Sequence, residues 1–260
     1  CAGLLILLVL MAIFAPLIAP YDPTFQDYSA VLSAPSMAHP FGTDEFGRDI
    51  LSRIIYGSRV SISIGIVAQV IASIVGVTLG SLAGYYGGWI DNTISRIMEI
   101  FQAFPDLIFA MAIMTFLGKG VLNLFIALGL LTWVRTARMI RGSVMQLKEK
   151  EYIEASRACG ASTYWIIMKG LVPNCLSTII VLVTLGIPNA IMYEASLSFL
   201  GIGIQPPTPS WGNMISAAQT FISYRPVYSI MPGVAIMITV IAFNIFGDGL
   251  RDALDPKLKN

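Results

Sequence analysis

Charge is scarce in this sequence. Only 12% of its 260 residues are Asp, Glu, Lys or Arg, and 56% are hydrophobic, where an ordinary soluble domain carries about 25% charge. The length would fit one large or two small soluble domains, but so few charges cannot cover the surface of either. The charges present nearly cancel, 16 Lys plus Arg against 15 Asp plus Glu, so there is no basic footprint and a nucleic-acid partner is disfavoured. Histidine is reduced to His39, and Cys1, Cys159 and Cys175 lie far apart with no Cys-x-x-Cys pair. They offer neither a soft-metal cluster nor a disulfide framework. Catalytic signatures are missing too: no Gly-x-x-x-x-Gly-Lys-Ser/Thr phosphate loop, no His-Glu-x-x-His run and no Gly-x-Ser-x-Gly elbow. The chain is expected to be noncatalytic, with no cofactor or metal of its own.

What is present is long apolar sequence. Residues 1–21, 60–90, 170–193, 195–224 and 226–247 contain no charge, and mean hydropathy is +0.75. About 20 apolar residues cross the roughly 30 Å hydrocarbon layer. The pattern predicts an all-α polytopic membrane protein, one domain over 1–260, with six transmembrane helices at 3–19, 60–84, 98–117, 121–140, 175–198 and 229–248. The third is interrupted early by Pro105 and Asp106. Residues 1–21 read as a first membrane helix rather than a secretory signal. The chain opens at Cys1 without a basic flank and runs through Pro16 and Pro20 with no small-x-small cleavage site. A segment before Cys1 is expected, and Cys1 is not read as a lipid anchor.

Residues 135–169 carry seven bases against three acids. The positive-inside tendency makes this segment cytoplasmic. Counting spans from there puts both termini in the cytoplasm and the segments 20–58 and 199–228 on the opposite, periplasmic side. The first of these holds five acids and two bases, in agreement. Gly76, Gly80, Gly84 and Gly88 recur every fourth residue along the second span. That spacing suits either a close helix-packing seam or a pore-lining stripe.

The cytoplasmic segment 142–173 is amphipathic. Leu147, Tyr152, Ala155 and Cys159 can share a helical face, Gly160 can turn the chain, and a second short helix is expected from about 162 to Gly170, before Pro173. Within it, Glu-Ala-Ser-Arg-Ala-Cys-Gly at 154–160 followed by Pro173 resembles the EAA loop of permease subunits in ATP-driven importers. Glu154, Ala155, Gly160 and Pro173 match that pattern. Ser156 stands for its second Ala, Gly170 for its Ile and Val172 for its Leu, and Gly170 weakens the expected packing of the second helix. The runs at 41–61, 198–215 and 243–259 resemble the second permease of dipeptide and oligopeptide importers, so the likeness covers essentially the whole chain.

This resemblance implies a permease subunit forming half of a pathway for dipeptides or oligopeptides, in a bacterial or archaeal cytoplasmic membrane. A nickel or nickel-chelate importer is the alternative within the same family. Expected partners are a second homologous permease, two ATPase subunits that bind ATP and Mg, an extracytoplasmic substrate-binding protein, and membrane lipid. Glu154, Ala155, Ser156, Gly160 and Pro173 would form the ATPase-coupling element. Glu154 would meet a basic residue of the ATPase or remain a solvated charge, Ala155 would permit close docking, and Pro173 would set the start of the fifth span.

Other polar residues leave more than one reading. Arg135, Arg138 and Arg141, at i, i+3 spacing, present three positive heads suited to anchoring at headgroups, to an inner gate or to a partner. Glu194 late in span five and Asp106 at the start of span three are candidates for the pathway or for structural pairing. Asp49 and Arg53 have the spacing of a helical ion pair. Gln205 to Trp211 mark a rigid turn ending in an interfacial aromatic, either a lid or a connection, and His39 reads as an ordinary loop histidine. An intramembrane enzyme would need converging catalytic groups, and neither Glu194 nor Asp106 has an identifiable partner in the sequence.

Overall fold

Pro16 sets the first break in the chain. In the computed structural model, which describes residues 2–254, helix α1 runs Ala2–Ile13 and gives way at Phe14 to a single turn, α2, Ala15–Ile18, with Pro16 in its first positions. The span expected over 3–19 is therefore two pieces, because proline has no N–H to carry the ladder. Twelve residues of α1 rise about 18 Å, short of the hydrocarbon thickness. Cys1, and the part of the 243–259 run beyond Leu254, lie outside the described residues.

Asp49 starts the longest helix. Its carboxylate accepts the backbone N–H and the hydroxyl of Ser52, both at 2.7 Å, satisfying donors that a helix start leaves open. Helix α3 consequently spans Ile50–Tyr86 and begins well before the apolar stretch predicted from residue 60. Gly87 and Gly88, at φ +65° and +52°, then turn the chain into α4, Gly88–Gln102. Helix α5, Asp106–Leu117, follows after a bend of 94°. A continuous third span over 98–117 is thereby corrected: Pro105 lacks a donor and disfavours helical geometry in the residue before it. Helix α6, Val121–Leu147, runs past its expected end at 140 and carries Arg135, Arg138 and Arg141 within it.

The segment after α6 forms α7, Glu151–Ala158, and the turn α8, Thr163–Trp165. A π-helical stretch, Ile166–Leu171, and a 3₁₀ stretch, Val172–Cys175, lead directly into α9, Leu176–Phe199. The second short helix therefore does not stop before Pro173. One helical run extends over Thr163–Phe199, and the missing Pro173 donor is absorbed by a wide turn followed by a tight one. The regular α-helix still begins just after Pro173. Helices α10, Trp211–Ala218, and α11, Pro226–Leu254, complete the chain.

The architecture is the expected all-α polytopic one. Among the described residues, Ile50–Tyr86, Val121–Leu147, Thr163–Phe199 and Pro226–Leu254 are long and apolar enough to cross a membrane, with a fifth crossing if the bent α4–α5 pair is one span. The sixth expected span rests on α1 and α2.

Packing between α3 and α6 explains the glycine repeat. A Cβ on Gly76 would lie 2.6 Å from Thr136, one on Gly80 2.4 Å from the Ala137 carbonyl oxygen, and one on Gly84 2.7 Å from that of Arg141. These three form a seam through which the two backbones approach. Gly88 belongs to the turn instead, with no atom within 4 Å of where its Cβ would be, which corrects the four-membered stripe. On the far side of α3, Leu5, Ile54, Ile191, Trp211, Tyr228 and Phe243 bring α1, α9, α10 and α11 into one core.

Candidate coupling surface and polar face

Helix α7 is held by a single aliphatic side chain. Ile153, the only large aliphatic residue between Lys148 and Gly160, is fully buried with Ile140, Val144, Ile166 and Leu171. A Cβ on Gly170 would stand 2.9 Å from its Cδ1. The glycine that departs from the family pattern is thus what makes room for Ile153. Glu151 and Glu154 fall in the first turn, where the helix dipole favours negative charge.

Gly160 ends α7 at φ +80°, a conformation that favours glycine. Its N–H donates to the Arg157 carbonyl at 2.9 Å, and the Ala161 N–H donates to that of Ser156 at 3.0 Å, the paired bonds of a Schellman cap. The Ser156 hydroxyl donates to the Tyr152 carbonyl at 2.7 Å. Ser162 caps the next turn, accepting the Trp165 N–H at 3.3 Å. Two further contacts reach the end of α3: the Lys148 ammonium, at the C-terminal end of α6, donates to the Gly84 carbonyl at 3.0 Å, and the Arg157 guanidinium of α7 lies 5.2 Å from the Tyr85 ring centre.

Glu154 and Ala155 are exposed, as are Tyr152 and Cys159. Of the four residues whose spacing allowed a shared helical face, Leu147 ends α6 and is half-buried, while the other three lie on or next to α7. Ile153 anchors the helix, and Tyr152, Ala155 and Cys159 face away from the protein. The isolated aliphatic residue in a polar run was the signal available in the sequence. Pro173 is exposed in the 3₁₀ stretch, next to an Asn174 side chain that donates to the Gly170 carbonyl at 2.6 Å.

A second feature is a polar face formed by α4, α5, α6 and α9. A cavity of about 310 Å³ is lined by Gln69, Gln102, Asp106, Thr132, Arg135 and Asn189, with Tyr193 beside them. A second, of about 680 Å³, shares Gln102, Asp106 and Arg135 and continues to Arg138, Ser177 and Arg251. The Tyr193 hydroxyl donates to Asp106. Gln69 reaches the face because Gly186 has no side chain: a Cβ there would lie 2.3 Å from the Gln69 amide. Gln69 then donates to the Thr132 hydroxyl at 3.4 Å.

The two carboxylates singled out in the sequence have different surroundings. Asp106 is exposed on the polar face, whereas Glu194 is fully buried and lines neither cavity. Glu194 accepts the Ser61 hydroxyl at 3.0 Å and the Ser198 hydroxyl at 2.8 Å, and Ser198 in turn accepts the Ile204 N–H at 3.0 Å. These bonds tie α3 and α9 to the loop after α9.

The three arginines do not form one set of free heads. Arg141 makes a two-pronged ion pair with Asp91, one arm at 2.6 Å. Arg138 donates to Gln102, and Arg135 opens onto the polar cavities.

At the opposite end of α3, Asp49 and Arg53 do not pair. Asp49 is occupied by the cap and by His39 Nδ1 at 3.0 Å, while Arg53 donates to the Pro23 carbonyl at 3.0 Å and lies 3.4 Å from Asp44. Arg48 meets the same Asp44 at 2.6 Å. The Tyr228 hydroxyl donates to Glu45 at 2.6 Å, and Arg225 to the Leu32 carbonyl at 2.6 Å, so the 20–49 loop is joined to the start of α11 at this end of the bundle. Within the 20–49 loop, the Thr24 hydroxyl and N–H hold the Asp22 carboxyl below its ordinary range, and Ser29 does the same for Asp27. Trp211 is not an interfacial aromatic: it is fully buried and its indole N–H donates to the Ile54 carbonyl at 3.0 Å. The turn before it ends in a capping box between Ser210 and Asn213.

Comparison with known proteins gives a consistent picture. Residues 76–260 match the family described as binding-protein-dependent transport system inner membrane component. Residues 1–35 match the N-terminal transmembrane domain of oligopeptide transport permease C. The chain is 46% identical to the dipeptide transport system permease protein DppC of Alkalihalophilus pseudofirmus, covering 99% of this chain and 86% of that protein. It is 43% identical to the glutathione transport system permease protein GsiD of Pectobacterium atrosepticum, covering 100% and 87%. Among solved structures, an inward-facing MetNI methionine ABC transporter chain superposes with a TM-score of 0.65 at 21% identity, covering 79% of this chain and 98% of that one. This last likeness shows the shared fold.

Proposed function

The chain belongs to the family of binding-protein-dependent transport system inner membrane components, and from that premise we propose that it is the permease half of an ATP-driven importer of dipeptides or oligopeptides. It is a multi-pass membrane subunit without catalytic chemistry of its own, working with ATPase and substrate-binding partners. In its full form the proposed machine contains a second homologous permease, two cytoplasmic ATPases holding ATP and Mg, and an extracytoplasmic binding protein. Both termini and α7 lie on the cytoplasmic side of a bacterial or archaeal membrane in this reading, with 20–58 and 199–228 opposite.

The observation that carries the coupling role is the geometry of α7. A short helix fixed by Ile153 and capped at Gly160 presents Glu154 and Ala155 outward. Such an element transmits a push, because its base is packed into the ends of α3, α6 and α9. Glu154 supplies a charge for a basic group on the ATPase, Ala155 and Ser156 allow close approach, Gly160 makes the turn, and Pro173 marks where displacement passes into α9. Glu194 acts as a structural tie and Asp106 as a pathway residue. A nickel chelate is not favoured as cargo, since DppC and GsiD are described as dipeptide and glutathione permeases.

The test is reconstitution in vesicles with the partner permease, ATPases and binding protein, followed by ATP-dependent accumulation of a labelled dipeptide and a nickel chelate. Dipeptide accumulation is expected. Nickel-only accumulation would reverse the cargo assignment, and no accumulation of either would contradict the importer reading.

A further inference from the structure

We propose that Asp106 and Arg135 are opposed cargo-reading charges, one for the free ammonium and the other for the free carboxylate of a short zwitterionic peptide. The proposal deepens the permease reading above and rests on it. Three observations carry it. First, both side chains are exposed on helices of an otherwise apolar chain. Ionised groups at membrane depth face protein or water rather than lipid, so this face is turned toward a partner permease or a hydrated path. Second, both line the same two cavities, of about 310 and 680 Å³, the size range of small-ligand sites.

Third, neither is neutralised within the chain. Among the described residues Asp106 has only the Tyr193 hydroxyl as a polar partner, and Arg135 takes part in no ion pair, in contrast to Arg141 with its Asp91. Tyr193 orients the Asp106 carboxylate without cancelling its charge, because a phenol donates a proton and brings no cation. Gln69, Thr132 and Asn189, near the middles of α3, α6 and α9, add the amides and hydroxyl that peptide bonds require. The larger cavity carries the same face on to Arg138 and Arg251, a polar continuation toward the end of the bundle where α6 finishes. The arrangement suits a molecule with one charge of each sign and hydrogen-bonding groups between.

The experiment compares wild type with Asp106→Asn and Arg135→Gln in the same reconstituted importer, with the same binding protein, so that selection by that protein cancels in the ratios. Uptake is measured for three labelled dipeptides: one with free ends, one N-acetylated and one C-amidated. Asp106→Asn is expected to lower uptake of the free and amidated dipeptides about ten-fold relative to the acetylated one, the loss of about one charge-assisted contact. Arg135→Gln is expected to lower the free and acetylated dipeptides relative to the amidated one by a similar factor. Asp106→Glu and Arg135→Lys should keep the wild-type ordering. Unchanged ratios in the two neutral variants, or equal loss of all three substrates, would overturn the assignment. Absence of dipeptide uptake by the wild-type importer would instead defeat the permease reading.

Discussion

Glu194 shows how a single residue can be conspicuous in a sequence while its role is fixed only by its neighbours. Its position late in an apolar run marks it as costly to bury, and the structure meets that cost with hydroxyls from Ser61 and Ser198. A structural tie of this kind makes a specific prediction. Glu194→Ala leaves two buried donors unsatisfied, at about 1–3 kcal/mol for each unsatisfied group, and should lower the thermal midpoint of the detergent-solubilised permease by several degrees. Glu194→Gln retains an acceptor and should shift it much less. A normal melting profile for Glu194→Ala with transport abolished would assign the residue to the pathway instead. Ile153 is the converse case. As the one large aliphatic residue in a polar run it carried a sequence signal, but the space over Gly170 that receives it is set by the fold.

At the scale of elements, breaks were legible where proline marked them and illegible where the backbone had a choice. Pro105 marks the α4–α5 bend, but proline near a helix start and proline at a break look alike in sequence, so the sequence does not distinguish one span over 98–117 from two helices. Asp49 extended α3 because a side-chain cap outweighs a local drop in hydropathy, a competition invisible to a window average. The π and 3₁₀ turns around Pro173 had no sequence signal beyond the proline itself.

The glycine repeat was legible as spacing, but membership was not: Gly76, Gly80 and Gly84 lie in the α3–α6 seam and Gly88 does not. The difference is measurable. Gly80→Val would drive a side chain into the Ala137 backbone, with a cost of about 3 kcal/mol or more since neither helix can yield. Gly88→Ala meets no neighbouring atom and pays only for its positive φ, about 1–2 kcal/mol. Thermal unfolding of the two variants should therefore rank Gly80→Val well below Gly88→Ala. Equal melting profiles would contradict the seam.

For the whole molecule, the membrane class and the family resemblance were fully visible, because composition and long motifs report on the entire chain at once. What was not visible is how the parts are joined. The continuous helical run Thr163–Phe199 begins just after α7 and carries Asn189 and Tyr193 of the polar face, and α6, which bears Arg135, is held to α3 along the glycine seam. In the proposed importer, a displacement at α7 would pass along these packed elements to the face that carries Asp106 and Arg135. In the proposed importer, ATPase work enters at Glu154 and leaves as peptide movement.

The most direct test is the initial rate of ATP-dependent dipeptide accumulation by reconstituted importers containing wild-type or Glu154→Lys permease, at matched subunit assembly and with ATP hydrolysis recorded in parallel. The charge reversal is predicted to reduce the dipeptide accumulated per ATP hydrolysed by these importers at least ten-fold. Accumulation at the wild-type rate in the Glu154→Lys importer would contradict the coupling role of α7.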